Sequence, residues 1–339
     1  MNGWRKGFVA LVALVAIALI TGCTVARPPG DSPLRYRDAI FSTVAVTSGI
    51  QYGSAPDANG DPVALRLDLY QPPASDTQAG RPALVWVHGG GFSSGDKTNV
   101  VPVDVANTFA KLGYVVVSIN YRLLGSGCVA NPGAAQCTIA AIEAQHDAQA
   151  AVRWLRANAG TYRIDPTRIG IGGESAGAIT AALVGLNTGD VGSSGNPGPP
   201  STVGGFVSVS GGLPNGIFAS PGDSMGIFFH GTADNVVPST WSDQTVANML
   251  KAGVGAWLQH QEGAGHVPWA QYRTLYLEQS NYFLYLALDL AHATGQPVSA
   301  ARASERQLRR LASSPAAKRL LKKYPKLRSV QKRAATLGR

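Results

Sequence analysis

Long apolar runs are missing from this sequence. The longest, Phe8 to Ile20, falls short of the about 20 residues that a membrane-spanning helix requires. With Arg5 and Lys6 ahead of it, the stretch instead has the layout of a signal-peptide core. Cysteine is scarce: Cys23 ends that segment, which leaves one pair, Cys128 and Cys137, and room for at most one disulfide between them. Acidic residues are nearly absent from the C-terminus, where Thr294 to Arg339 holds thirteen of the 29 Lys and Arg residues and, in Glu305, one of the 20 acids. The net charge of +9 therefore belongs to a tail, and the slightly acidic remainder gives no reason to expect a nucleic-acid partner. Apolar residues, at 45%, exclude disorder throughout and suffice for one large α/β domain or two small ones.

Beyond the signal, Val25 to Pro33 turns to Pro, Gly and Asp and reads as a tether. Thr43 to Tyr52 and Val63 to Tyr70 are candidate strands; Leu65, Leu67 and Leu69 alternate with Arg66 and Asp68, which suits an antiparallel strand near a sheet edge. Ala83 to Val87 is wholly apolar, as expected of a strand buried on both faces. Further strands are expected at Tyr114 to Asn120, Arg168 to Gly172, Val203 to Ser210, Met225 to Phe229 and Ala256 to Gln259. Helices are expected at Val103 to Leu112, Ile139 to Asn158, Ala176 to Leu186, Thr240 to Ala252 and Gln279 to His292. This alternation predicts an α/β fold with a mostly parallel central sheet and helices on both faces.

Two glycine-rich stretches follow buried strands. Gly172-Gly173-Glu174-Ser175-Ala176-Gly177 sits between a strand and an alanine-rich helix, the setting of a tight turn that lifts the Ser175 hydroxyl above the sheet edge. His88-Gly89-Gly90-Gly91-Phe92 follows Val87, and its glycines let backbone N–H groups approach a ligand closely. Acyl transfer needs such donors where a carbonyl oxygen becomes an oxyanion.

Taken together, His-Gly-Gly-Gly-Phe and Gly-Glu-Ser-Ala-Gly resemble the α/β-hydrolase superfamily, especially its carboxylesterase and hormone-sensitive-lipase-like esterases and lipases. The resemblance implies a serine hydrolase of carboxylic esters without a cofactor or metal. It assigns the oxyanion donors to the N–H groups of Gly90, Gly91 and Ala176, gives His88 a structural role, and pairs Arg122 with an acid under the site. Asp147 is the candidate partner, with a solvent-facing Arg122 as the alternative. Ser175, Asp234 and His266 fall in the family's nucleophile, acid, base order, each in a loop beyond a strand. A serine hydroxyl needs a base to take its proton, and the acid fixes the imidazole tautomer. Asp243 and Glu262 are weaker candidates for the acid, and His230 is read as structural.

The space ahead of the first secure strand is too short for a large helical cap, so an open site and short acyl or aryl esters are expected. An amidase would share every motif, and a catalytically silent binding protein is the alternative outside enzymology. The Gly, Ser and Pro of Asn187 to Ser201 suggest a mobile loop bordering an acyl pocket. Leu19-Ile20-Thr21-Gly22-Cys23 resembles a bacterial lipobox, which implies a lipid on Cys23 and an exported protein on the outer side of a membrane, or a secreted one. In such a compartment Cys128 and Cys137 are expected to pair. The layout is thus signal peptide 1–22, tether 23–40, hydrolase domain 41–294 and basic tail 295–339. The tail is open to two readings, a solvated extension or a contact with anionic lipid.

Overall fold

The computed structural model describes residues 33–57, 59–124, 128, 135–213 and 219–293. Cys23, the signal segment and the basic tail lie outside them. Packing begins at Leu34, ahead of the boundary at 41 assigned from sequence, because Tyr36 is buried against the Tyr114 ring at 5.7 Å and its N–H donates to Leu112 O at 2.8 Å.

Eight strands form one sheet: β1 (Ala45–Pro56), β2 (Pro62–Gln71), β3 (Arg81–Val87), β4 (Val115–Ile119), β5 (Ile164–Glu174), β6 (Gly205–Val209), β7 (Met225–Gly231) and β8 (Ala256–Gln261). Their order is β1-β2-β4-β3-β5-β6-β7-β8. β2 is antiparallel to both β1 and β4, and every pairing from β4 to β8 is parallel. The leucine alternation in β2 thus marks the antiparallel edge, while the uninterrupted apolar run of β3 marks a central strand, as the pattern predicts.

Side-chain alternation along β3 divides the core in two. Ala83, Val85 and Val87 join helices α2 (Ala135–Ala157), α3 (Ala176–Leu186) and α4 (Ser239–Lys251) on one face. Leu84 and Trp86 join α1 (Val100–Leu112), α5 (Trp269–Ala287) and α6 (Leu290–Ala293) on the other. Among the described residues every helix packs on a sheet face, and none is long and apolar enough to cross a membrane.

The last helix differs from its expected span. It begins at Trp269, well before Gln279, and stops at Ala287, where Asp289 turns to a φ of 49° before α6 resumes. Its first turns carry Tyr272, Arg273 and Glu278 beside buried Tyr276 and Leu277, a mixed pattern that hides the helical period. The stretch from Asn187 to Ser201 also departs from the sequence reading. Arg153 donates to Gly195 O from Nε at 2.9 Å and from Nη2 at 2.8 Å, and Asn196 Nδ2 donates to Ala150 O at 3.1 Å, so Gly195 and Asn196 are tied to α2.

Candidate active site

The parallel strands end at one sheet edge, and the loops that leave β3, β5, β7 and β8 there carry the candidate residues. Ser175 joins β5 to α3 with φ 55° and ψ −120°, a region costly for a residue with a side chain. The turn is possible because its neighbours have no Cβ. A methyl on Gly177 would lie 2.0 Å from Val87 O, and one on Gly173 would lie 2.4 Å from the Gly177 carbonyl carbon. The Ser175 N–H donates to Val209 O at 2.9 Å, which ties the turn to β6.

Ser175, His266 and Asp234 meet in a line, although they lie 91 and 32 residues from their partners along the chain. Ser175 Oγ stands 2.8 Å from His266 Nε2, and His266 Nδ1 stands 2.8 Å from Asp234 Oδ2. A carboxylate only accepts, so Nδ1 carries the ring hydrogen and Nε2 is left to accept from the serine hydroxyl. His266 is about one-fifth exposed and the Asp234 side chain is shut from solvent. Burial alone would raise the Asp234 carboxyl. Hydrogen bonds from His230 and His266, and from the Val236 and Val237 N–H groups at 2.9 Å to Oδ1, outweigh it and hold the group well below the usual carboxylate range.

His230 is the residue whose contact was not read from sequence. Its Nε2 lies 3.2 Å from Asp234 Oδ2 and 2.9 Å from Val237 O, both acceptors, so Nε2 carries hydrogen and braces the acid. The i,i+4 spacing of His230 and Asp234 across the end of β7 was the available signal. The competing acid Asp243 faces His260 at 3.1 Å, and Glu262 accepts from Thr232 at 3.5 Å.

The loop after β3 is anchored from below. Gly90 and Gly91 have φ of 122° and 60°, and among the described residues their N–H groups enter none of the loop's backbone hydrogen bonds. The Gly89 N–H instead donates to Glu174 Oε1 at 3.0 Å, and Trp86 Nε1 donates to Glu174 Oε2 at 2.7 Å. Ala176 opens α3 and presents the first N–H of that helix, a group with no intrahelical acceptor. His88 is fully buried, stacked on Tyr121 at 4.5 Å, with Nδ1 2.6 Å from Gly89 O; it faces the loop's interior, and burial lowers its pKa.

Arg122 and Asp147 do come together. The Arg122 backbone N–H donates to Asp147 Oδ2 at 2.8 Å and its Nη2 to Oδ1 at 2.9 Å, with the carboxylate wholly buried. Arg122 Nη1 also donates to Pro56 O at 2.9 Å, so the pair joins α2 to the end of β1 rather than touching the serine. Cys128 and Cys137 form a disulfide with Cα atoms 5.5 Å apart. No group of three or more metal-ligating side chains is present among the described residues.

Comparison with known proteins follows this geometry. The BD-FAE family model matches residues 67–197, a span that includes Gly90, Gly91 and Ser175 but stops short of Asp234 and His266. The chain is 33% identical to the fumonisin B1 esterase of Sphingopyxis macrogoltabida over 35% of its own length and 22% of that protein's. It is 33% identical to the phenmedipham hydrolase of Pseudarthrobacter oxydans over 44% and 29% of the two chains. These alignments thus span less than a third of each relative. Thermogutta terrifontis esterase 2, solved phosphorylated by paraoxon, matches more completely: 26% identity, 75% of this chain, 97% of that one and a TM-score of 0.56. With the sheet order, the strand-turn-helix at Ser175 and these likenesses agreeing, the chain has the α/β-hydrolase fold and is similar to its esterases and lipases.

Proposed function

We propose that the protein is a serine hydrolase that cleaves short acyl or aryl carboxylic esters through an acyl-enzyme. Ser175 Oγ attacks the ester carbonyl while His266 Nε2 takes its proton. Asp234 holds the ring by Nδ1–H and stabilises the imidazolium. The N–H groups of Gly90, Gly91 and Ala176 receive the oxyanion, a role in which losing one donor typically costs about 10²- to 10³-fold. His266 then protonates the departing alcohol and activates the water that frees the acid. The observation that carries this reading is the unbroken line of two 2.8 Å contacts from Ser175 through His266 to Asp234.

A panel of p-nitrophenyl acyl esters, feruloyl esters and aryl amides, assayed with wild type and Ser175→Ala, tests it. Short acyl esters should be the best substrates, and the substitution should remove about 10⁴-fold or more of kcat. Turnover confined to amides would make the protein an amidase, and ester turnover that survives Ser175→Ala would end the proposal.

We also propose export by a signal at 1–22, with the hydrolase domain 41–294 held at a membrane's outer side by lipid on Cys23 through the tether 23–40. The layout of Phe8 to Cys23 supports this. Labelled palmitate should be incorporated into the full chain and not into Cys23→Ala; equal labelling of both would contradict the anchor. The basic tail 295–339 is read as a solvated extension, and salt-sensitive vesicle binding lost on truncation at Gly295 would overturn that in favour of contact with anionic lipid.

A further inference from the structure

The backbone on either side of His266 is held by different parts of the molecule. Upstream it lies on the end of β7: the Ala233 N–H donates to Ala264 O at 2.9 Å, and a methyl on Gly231 would lie 2.3 Å from that oxygen and 2.4 Å from Gly265 O. Downstream, Val267 turns to a φ of 43°, a region in which a β-branched residue is an outlier, and α5 begins two residues later at Trp269. The Trp269 N–H donates back to Val267 O at 2.7 Å, so the turn and the helix start move as one. Strain of this kind persists only where the surroundings over-determine it. One hold is the Val267 N–H, which donates to Ser210 Oγ at 3.0 Å.

The other hold is Asp104. It stands on α1, the helix that follows the Gly90 and Gly91 loop, and its carboxylate gathers three N–H groups from the start of α5, 165 and 169 residues away. Trp269 Nε1 donates to Oδ2 at 2.9 Å, and Arg273 closes a fork on both oxygens, Nε to Oδ2 and Nη2 to Oδ1, each at 2.6 Å. The Trp269 ring is buried and sits edge-on to Trp86 at 6.5 Å. Trp86 in turn donates to Glu174, which also receives the Gly89 N–H. The helix after the glycine loop and the helix after the base's loop are thus fastened at one carboxylate.

We infer that Asp104, acting through Trp269, is a positioning residue for His266: it holds the start of α5 so that the strained turn at Val267 aims the imidazole at Ser175 Oγ. The inference rests on the hydrolytic reading of Ser175. Neither Asp104 nor Trp269 touches the reacting atoms. Arg273, about half exposed, orients the carboxylate so that Oδ2 meets the indole. Releasing Trp269 frees the first turn of α5, lets Val267 relax and lengthens the 2.8 Å contact between His266 and Ser175. The loss then falls on kcat, because the aligned imidazole is needed in the transition state.

The test is kcat and KM for p-nitrophenyl butyrate with wild type, Trp269→Phe, Asp104→Ala, the double variant and Arg273→Met. Beside it runs proton NMR of the hydrogen that His266 Nδ1 shares with Asp234, assigned by its absence from His266→Gln. Trp269→Phe keeps an aromatic ring and removes only the donor. Its kcat should fall about 10- to 100-fold, the scale of a misplacement of about 1 Å made far from the chemistry, with KM within about twofold of wild type. Asp104→Ala should lose at least as much, and the double variant no more than Asp104→Ala, since both changes remove the same interaction. The shared-hydrogen resonance should shift or broaden in each. Arg273→Met leaves the indole bond in place and should lose less than Trp269→Phe. Wild-type kcat and an unmoved resonance in Trp269→Phe would overturn the inference, and this variant decides alone if Asp104→Ala does not fold. Single losses that multiply in the double variant, or a loss confined to KM, would overturn it too. Absence of Ser175-dependent turnover in the wild type would instead bring down the hydrolytic reading.

Discussion

Two buried carboxylates flank the candidate nucleophile, Glu174 on the floor at the end of β5 and Asp234 on the rim beyond β7. Their surroundings drive them to opposite charge states. Glu174 is almost wholly enclosed and receives the Trp86 and Gly89 N–H groups, but burial prevails and pushes its carboxyl up to about 8. The Asp234 side chain is also shut from solvent but less deeply enclosed, and two imidazoles and two backbone N–H groups hold its carboxyl well below the usual carboxylate range. Burial penalises charge at both sites, more heavily at Glu174, and at Asp234 the donors outweigh it. The floor carboxyl ties the glycine loop to the serine turn, while the rim carboxylate accepts from the His266 ring. A third case, Asp147, is buried against Arg122 and carries the packing of α2 on β1.

The largest effect should come from Asp234→Asn, which keeps the shape and removes the charge. About 10⁴-fold of kcat on p-nitrophenyl butyrate should disappear, the scale expected when an imidazole loses its orienting carboxylate. Circular dichroism should show an unchanged fold, and a loss under tenfold would mean that Asp234 and Glu174 are not functionally distinct.

Next comes Arg122→Ala, which strands Asp147 as a buried charge and should cost about 3–5 kcal/mol of stability in urea unfolding. Esterase activity at low temperature should be largely kept, since the pair does not touch Ser175. An unfolding midpoint equal to wild type would show that the Asp147 charge needs no partner.

Opening the disulfide by Cys128→Ala with Cys137→Ala should cost about 2.5 kcal/mol in the chain-entropy model, read in the same unfolding assay. A stability equal to the wild type under oxidising conditions would contradict a formed bond.

The smallest and most discriminating effect is in pH dependence. Glu174 has a native pKa raised from 4.5 to about 8, so between those values the native state binds more protons than the unfolded one, and stability falls as pH rises through that window. Asp234 has a lowered native pKa, so its contribution is present above the ordinary carboxylate range and is lost as pH falls. Glu174→Gln should therefore flatten the decline in melting temperature between pH 4.5 and 8, whereas Asp234→Asn should flatten the acid limb. The same slope in both variants as in wild type would break the contrast between floor and rim.

Much of this was legible in the chain. The strand alternation and the paired glycine motifs specify the sheet, the turn at Ser175 and the loop after β3, because each is a local pattern with one physical solution. The order Ser175, Asp234, His266 comes from the resemblance to α/β-hydrolases, with each residue in a loop beyond a strand. What was not legible depends on contacts between distant segments. Nothing local reveals that Glu174 turns inward to Trp86, 88 residues away, or that Arg153 ties down Gly195 in a loop whose composition suggests motion.

The central claim is that Ser175 is a nucleophile activated by His266. Mass spectrometry of the intact protein after treatment with paraoxon tests it most directly, followed by peptide mapping and repeated on His266→Ala. One phosphoryl adduct on Ser175 in wild type, and little or none in the variant, is the expected result. An adduct elsewhere, or equal labelling of Ser175 without the imidazole, would contradict it.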